Sequence, residues 1–131
     1  MKIVLDTNVL VSGLINPKGV PAKILNLMLN EKIIVLYDNR ILREYETVLN
    51  RRKFKFKKEI TDPLIDFIKH EGSFIAADPL IINFKDEDDK MFLEVAKSGN
   101  AEYLITGNIV HFPNEEFIVT PREFIEKILT I

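Results

Sequence analysis

Met1-Lys2-Ile3-Val4-Leu5-Asp6-Thr7-Asn8 opens the chain, and the first half of this stretch decides the fold. Ile3-Val4-Leu5 is a continuous β-branched and aliphatic run without polar alternation, the pattern of a strand covered on both faces, as strands of parallel sheets are. A strand of that kind needs helices above and below it. After the Asn16-Pro17-Lys18-Gly19 turn cluster, residues 22–30 place Ile24, Leu25, Leu27, Met28 and Leu29 at helical spacing. Ile33-Ile34-Val35-Leu36-Tyr37 is a second buried-strand run. Asp38 or Asn39 can then cap a helix striped by Ile41, Leu42, Tyr45, Val48 and Leu49.

Further along, residues 51–58 read Arg-Arg-Lys-Phe-Lys-Phe-Lys-Lys, six basic residues in eight. Asp62-Pro63 is expected to start another helix, carrying Leu64, Ile65, Phe67 and Ile68. Phe74-Ile75-Ala76 and Leu80-Ile81-Ile82 are short apolar pieces around Asp78-Pro79. The acidic cluster Asp86-Glu87-Asp88-Asp89 reads as a helix start, because Phe92, Leu93, Val95 and Ala96 follow at helical spacing and Gly99 ends the element. Tyr103-Leu104-Ile105-Thr106 and Phe117-Ile118-Val119 are the third and fourth strands. Thr120-Pro121-Arg122-Glu123 has the cap, first-position proline and returning glutamate of a helix N-terminus. Strands alternating with helices imply an α/β fold with a mostly parallel sheet. With no internal repeat, low-complexity tract or linker, residues 1–131 are expected to form one domain.

Composition narrows the function. The 131 residues carry Lys+Arg 18 against Asp+Glu 20, a formal net charge of −2, which argues against a tail-driven nucleic-acid binder and requires any nucleic-acid contact to be local. At 47% hydrophobic residues the chain can build its own core. The absence of Cys excludes disulfides, thiolate zinc sites and cysteine nucleophiles. No apolar run approaches the roughly 18–20 residues that cross a bilayer, and Asp6, Thr7 and Asn8 interrupt the only apolar stretch near the N-terminus. The expectation is a soluble, cytoplasmic protein.

In open parallel sheets, sites lie beyond the carboxyl ends of the strands. Asp6 follows the first strand and Asn108 follows the third, while Glu44 and Asp89 lie near helix starts that face the same side. An acid inside a run as apolar as the one around Asp6 is costly unless it is paired or metal-bound. Asp89 shares a stripe with Phe92, Leu93 and Ala96, but Asp88 with Met91, Phe92 and Val95 makes nearly as good a one; likewise Glu44 faces with Ile41 and Val48, and Glu46 with Leu42 and Leu49. Periodicity leaves both ties open. Carboxylates converging on a small volume need protons or a cation to share. With no Cys and two His, that cation is hard, Mg²⁺ or Mn²⁺, and such an ion points to phosphodiester hydrolysis by in-line attack of water.

These residues resemble the PIN-domain family over nearly the whole chain: Asp6-Thr7-Asn8-Val9-Leu10-Val11-Ser12-Gly13 after a first strand, Glu44-Tyr45 with Val48-Leu49, Asp89-Lys90-Met91-Phe92-Leu93-Glu94-Val95-Ala96, and Tyr103-Leu104-Ile105-Thr106-Gly107-Asn108. The resemblance implies a three-layer Rossmann-like α/β domain with a central, mostly parallel sheet of four to five strands. It implies a Mg²⁺- or Mn²⁺-dependent ribonuclease acting on RNA, of the VapC type found as the toxin of toxin–antitoxin pairs, with an antitoxin protein as partner and homodimers or higher homo-oligomers as the common assembly. Asp6, Glu44 and Asp89 match the family's first three acids, which breaks both ties. Asn8 and Thr106 match its polar support, and Asp86 is expected in the outer shell. Asn108 stands where many members carry a fourth acid; an amide oxygen can still ligate or orient a water, but it lowers the negative charge available for a second metal. The competing expectation is a PIN module that binds RNA or a protein partner without cutting.

The basic stretch is the candidate RNA contact, with Phe54 and Phe56 interleaved among Arg51, Arg52, Lys53, Lys55, Lys57 and Lys58; phosphate neutralisation and base stacking need those residue types. The plainer alternative is a solvated loop anchored in the core by its phenylalanines. His70 and His111 read as surface or loop histidines, with His111 alone close enough to the expected site to bind a phosphate or leaving group.

Overall fold

The structure, a computed structural model, describes residues 1–129, so the expected span of 1–131 runs two residues past the described ones. Five short strands, β1 (Lys2–Leu5), β2 (Ile34–Tyr37), β3 (Ser73–Phe74), β4 (Tyr103–Ile105) and β5 (Ile118–Val119), form an all-parallel sheet in the order β3-β2-β1-β4-β5. Flanking it among the described residues are six helices: α1 (Thr7–Ile15), α2 (Val20–Leu29), α3 (Asn39–Leu49), α4 (Lys58–Glu71), α5 (Lys90–Ser98) and α6 (Pro121–Leu129). Ile3, Val4 and Leu5 are each 0% exposed, so the central strand is covered on both faces, as its apolar run predicts. Its register pairs Ile3 with Val35 on one side and with Tyr103 on the other.

That strand order places the site. The chain builds outward from β1 through β2 to β3, then returns to the other side of β1 for β4 and β5. Loops leaving β1 and β4 therefore diverge, and the crevice between them at the carboxyl ends of the strands is where ligands of such sheets bind. Helix capping follows the sequence closely. Asp38 accepts from the Ile41 N–H at 3.0 Å, and Thr120 and Glu123 exchange side-chain and backbone bonds at 2.9 and 3.2 Å in a capping box.

Three elements depart from the sequence pattern, each for a physical reason. α1 follows Asp6 at once, but its polar Thr7 is buried and its apolar Ile15 exposed, so the helical period is weak in the sequence, and no side chain caps its start. α4 begins at Lys58, a full turn before the expected start at Asp62-Pro63, and contains Pro63. There the missing proline N–H costs one backbone bond, while burial of Leu64, Ile65 and Ile68 holds the helix together. β3 is an edge strand of two residues, too short to show alternation; Phe74 packs edge-on against Tyr37, with ring centroids 6.0 Å apart. The acidic cluster starts a 3₁₀ turn over Glu87–Asp89, and the α-helix proper begins at Lys90. Among the described residues no helix is long and apolar enough to cross a membrane.

The joint between α4 and β3 has no room for a side chain. A Cβ on Gly72 would overlap the Ile68 carbonyl oxygen and stand 2.7 Å from that of Val35, and both are backbone atoms that move only with their elements. Gly72→Ala is expected to destabilise the protein by about 1–3 kcal/mol, an overpacking cost, read as a lowered midpoint in thermal or urea unfolding.

Candidate metal centre

Asp6 is the first residue after β1, and its N–H donates to the Ile105 carbonyl at 2.9 Å, which locks the ends of β1 and β4 side by side. The side chain is 5% exposed. Its Oδ2 accepts from the Thr106 hydroxyl at 2.8 Å and from Asn8 Nδ2 at 3.2 Å. Thr106 Oγ1 accepts in turn from the Asn108 N–H, and Asn8 Oδ1 from the Gly107 N–H, both at 2.9 Å. One buried carboxylate thus braces the first turn of α1 against the loop that follows β4.

Glu44 arrives from α3. It is half-buried and accepts a hydrogen bond from the Thr7 hydroxyl. Its neighbour Tyr45, fully buried, donates its hydroxyl to the Leu5 carbonyl, one residue before Asp6. That bond sets where α3 lies over the end of β1 and so how far Glu44 stands from Asp6. Glu46, the other member of the tie, is exposed. Asp89 closes the 3₁₀ turn before α5, half-buried where Asp88 is exposed, and its Oδ2 lies 3.1 Å from His111 Nδ1.

Charge and burial act together on these acids. Burial pushes the Asp6 carboxyl up to about 6, against the opposing Thr106 hydrogen bond and with added repulsion from Asp89 and Glu44. Glu44 is raised chiefly by burial, opposed by the Thr7 hydroxyl, with repulsion from Asp89 and Asp88. Asp89 is raised chiefly by burial too, opposed by the bond to His111. Asp6 thus feels the charges of Asp89 and Glu44, and Glu44 that of Asp89. Protons or a cation relieve that repulsion, and a donor set of carboxylates and an imidazole suits a hard divalent ion. Among the described residues, the ligand atoms that gather within 4.8 Å of one another are those of Asp86, Asp89 and His111. Asp6 and Glu44 stand outside that group.

Sequence reasoning underweighted several contributors. His111 reaches Asp89 from 22 residues downstream, a pairing that no local pattern can signal. Glu94, 5% exposed, bonds Arg40 at 2.8 Å and the Leu80 N–H at 2.8 Å, while Arg40 also pairs with Asp38 at 2.7 Å. This network ties α3, α5 and the loop leading to Asp86. Its only sequence signal is an acid flanked by Leu93 and Val95 in an otherwise buried run. Asn108 enters through its backbone N–H, with its residue exposed at the rim. Of the basic stretch, Arg51 borders the groove beside Glu44. Arg52 and Lys53 lie in a 3₁₀ turn, Lys53 Nζ sits 5.0 Å above the Phe54 ring, and Lys55, Lys57 and Lys58 are exposed.

A sequence model of the PIN domain family matches residues 2–110, the span that holds Asp6, Glu44, Asp86, Asp89 and Asn108. A protein of Methanocaldococcus jannaschii named "Uncharacterized protein MJ1680" is 32% identical over 142 aligned positions, covering 97% of this chain and 91% of its own.

The raised acids give a signed expectation. A carboxyl raised to about 6 from its ordinary value of 3.8 holds its proton longer in the folded state, so its contribution to stability is full below about pH 4 and lost as pH rises through 6. At pH 8 without divalent ions, Asp6→Asn should therefore melt higher than the parent, by up to roughly 3 kcal/mol for a shift of about two units. With Mn²⁺ the order should reverse, because the ion stabilises only the protein that binds it. Paired melting curves with EDTA and with Mn²⁺ check both halves. Mn²⁺ affinity should itself climb as pH rises through about 6, when Asp6 gives up its proton.

Proposed function

The chain belongs to the PIN domain family, whose members are typically nucleases, and on that premise we propose that it is a Mg²⁺- or Mn²⁺-dependent endoribonuclease with Asp6, Glu44 and Asp89 as its central acids. The observation that carries the reading is that all three carboxyls are raised chiefly by burial at the switch point of the sheet, with Asp6 repelled by Asp89 and Glu44, and Glu44 by Asp89. Held there, a divalent ion would supply the positive charge that acidifies water and neutralises developing charge on phosphodiester oxygens.

The chain's own residues do the rest. Thr106 and Asn8 fix which oxygen of Asp6 is occupied and which way the carboxylate points; Thr7 does the same for Glu44, and His111 for Asp89. Residues whose orientation is set in advance need little reorganisation during reaction. Glu44 borders the open groove between α3 and α5, and a carboxylate of raised pKa is a competent acceptor for the proton an attacking water must lose. Asp86 and His111 complete the outer support of Asp89.

The reading extends to a toxin of a toxin–antitoxin pair whose antitoxin covers these acids. The sequence resemblance supports that part, and growth arrest on expression, relieved by a short neighbouring reading frame, would test it.

For the enzyme, purified protein with Mn²⁺ should cleave labelled RNA, and EDTA should stop it. Asp6→Asn and Asp89→Asn should each lower the rate by more than the roughly 10–100-fold that loss of an outer partner costs, and His111→Ala should fall within that range. Saturable Mn²⁺ binding with no cleavage across diverse RNAs would instead leave a binding module.

A further inference from the structure

Between α3 and α5 lies an open groove of about 590 Å³ that Glu44 helps to line. Its walls carry Arg40, Arg43, Arg51 and Lys90 against Glu44, Glu87, Asp88 and Glu94. The count is even, but the charges are not equivalent. Arg40 is held by Asp38 and Glu94 at 2.7 and 2.8 Å, and Lys90 lies 3.8 Å from Glu87. Arg43 and Arg51 are exposed and form no ion pair among the described residues. Arg51 still acts on the site, since its charge lowers the Glu44 carboxyl against the effect of burial.

Arg43 and Thr47 stand one turn apart on α3, and Arg51 follows just past the end of that helix, where the backbone turns extended; all three line the groove. Guanidinium forks match phosphate oxygens, and unpaired ones in a groove leading to acids have no partner to give up.

In the rest of the basic stretch the cations are exposed, while the phenylalanines pack on one another and on the protein. Phe54 stacks on Phe56 with centroids 5.4 Å apart and planes 14° apart, and Phe56 lines an apolar crevice with Leu14, Leu25, Leu29 and Ile60. Rings so engaged offer no platform for bases.

We propose that the α3–α5 groove is the track for a single-stranded RNA backbone, with Arg43 and Arg51 holding its phosphates on the approach to Glu44. The stretch 52–58 is then a strap across α1 and α2. The identity of the strand rests on the ribonuclease reading; the track itself does not.

The test is fluorescence anisotropy of a labelled single-stranded RNA 12-mer with the full chain in EDTA, which keeps the RNA intact. Arg43→Ala and Arg51→Ala should each weaken binding about tenfold, the effect of losing a charged hydrogen bond. The double variant should reduce the slope of log Kd against log salt by about 1.4, that is about 0.7 per phosphate contact. The pair Lys55→Ala with Lys57→Ala should change Kd less than twofold. All four side chains are exposed, and superimposable melting curves would show that the variants fold. Equal losses from the two pairs, no loss from the arginines, or no RNA binding by the parent would each overturn the track. Arginine-dependent binding by a protein that never cuts RNA with Mn²⁺ would sink the nuclease reading and leave the track standing. Cleavage unchanged in the arginine variants would do the reverse.

Discussion

A carboxylate at the end of a fully buried strand is the constraint on which the rest of this structure depends. Asp6 follows three residues that are 0% exposed and is itself 5% exposed. A charge in that position is costly unless the surroundings supply donors or a counterion. Thr106 and Asn8 supply the donors, while the Asp6 backbone N–H donates to the Ile105 carbonyl, and the bonds to Thr106 and Ile105 form only because β4 lies beside β1. The pairing of β1 with β4 is therefore a condition of the site as well as of the sheet. The remaining acids add repulsion that these hydrogen bonds do not cancel, which is why the cluster suits a cation.

Two buried polar links keep α3 and α5 in place around Asp6. Tyr45 anchors α3 to the Leu5 carbonyl, and burial, with the negative charges of Asp6, Glu44 and Asp38 nearby, holds its hydroxyl protonated. Arg40 joins Asp38 to Glu94, whose second oxygen takes the Leu80 N–H and so moors the loop that leads to Asp86. Both carboxylates are nearly buried, and removing the arginine would leave them uncompensated. The same geometry that positions Glu44 and Asp89 thereby determines which cations are occupied and which remain free along the groove.

Much of the fold was legible from pattern. The uninterrupted apolar runs at Ile3-Val4-Leu5 and at 33–37, the Asp38 cap and the Thr120 capping box all correspond to observed elements. What escaped was what pattern cannot carry. α1 buries a threonine and exposes an isoleucine, β3 has two residues, and α4 tolerates Pro63 because its packing outweighs one lost bond. For the site, periodicity returned two equal candidates at both Asp88/Asp89 and Glu44/Glu46, since adjacent or near-adjacent residues on an amphipathic helix differ little in angle from the apolar stripe. In the structure Asp89 and Glu44 are half-buried and their rivals exposed.

By itself the sequence determined that strands covered on both faces alternate with helices, and that acids and amides collect where those strands end. These are local properties, written in runs of a few residues and in the absence of Cys. Only the tertiary structure decided which acids feel one another, that His111 rather than a nearer residue braces Asp89, and that Arg51 parts company with the basic residues beside it. The reason is that burial and electrostatic coupling depend on distance through space. The order β3-β2-β1-β4-β5 brings Thr106 to Asp6 across 100 residues of chain, and no spacing along the chain encodes that order.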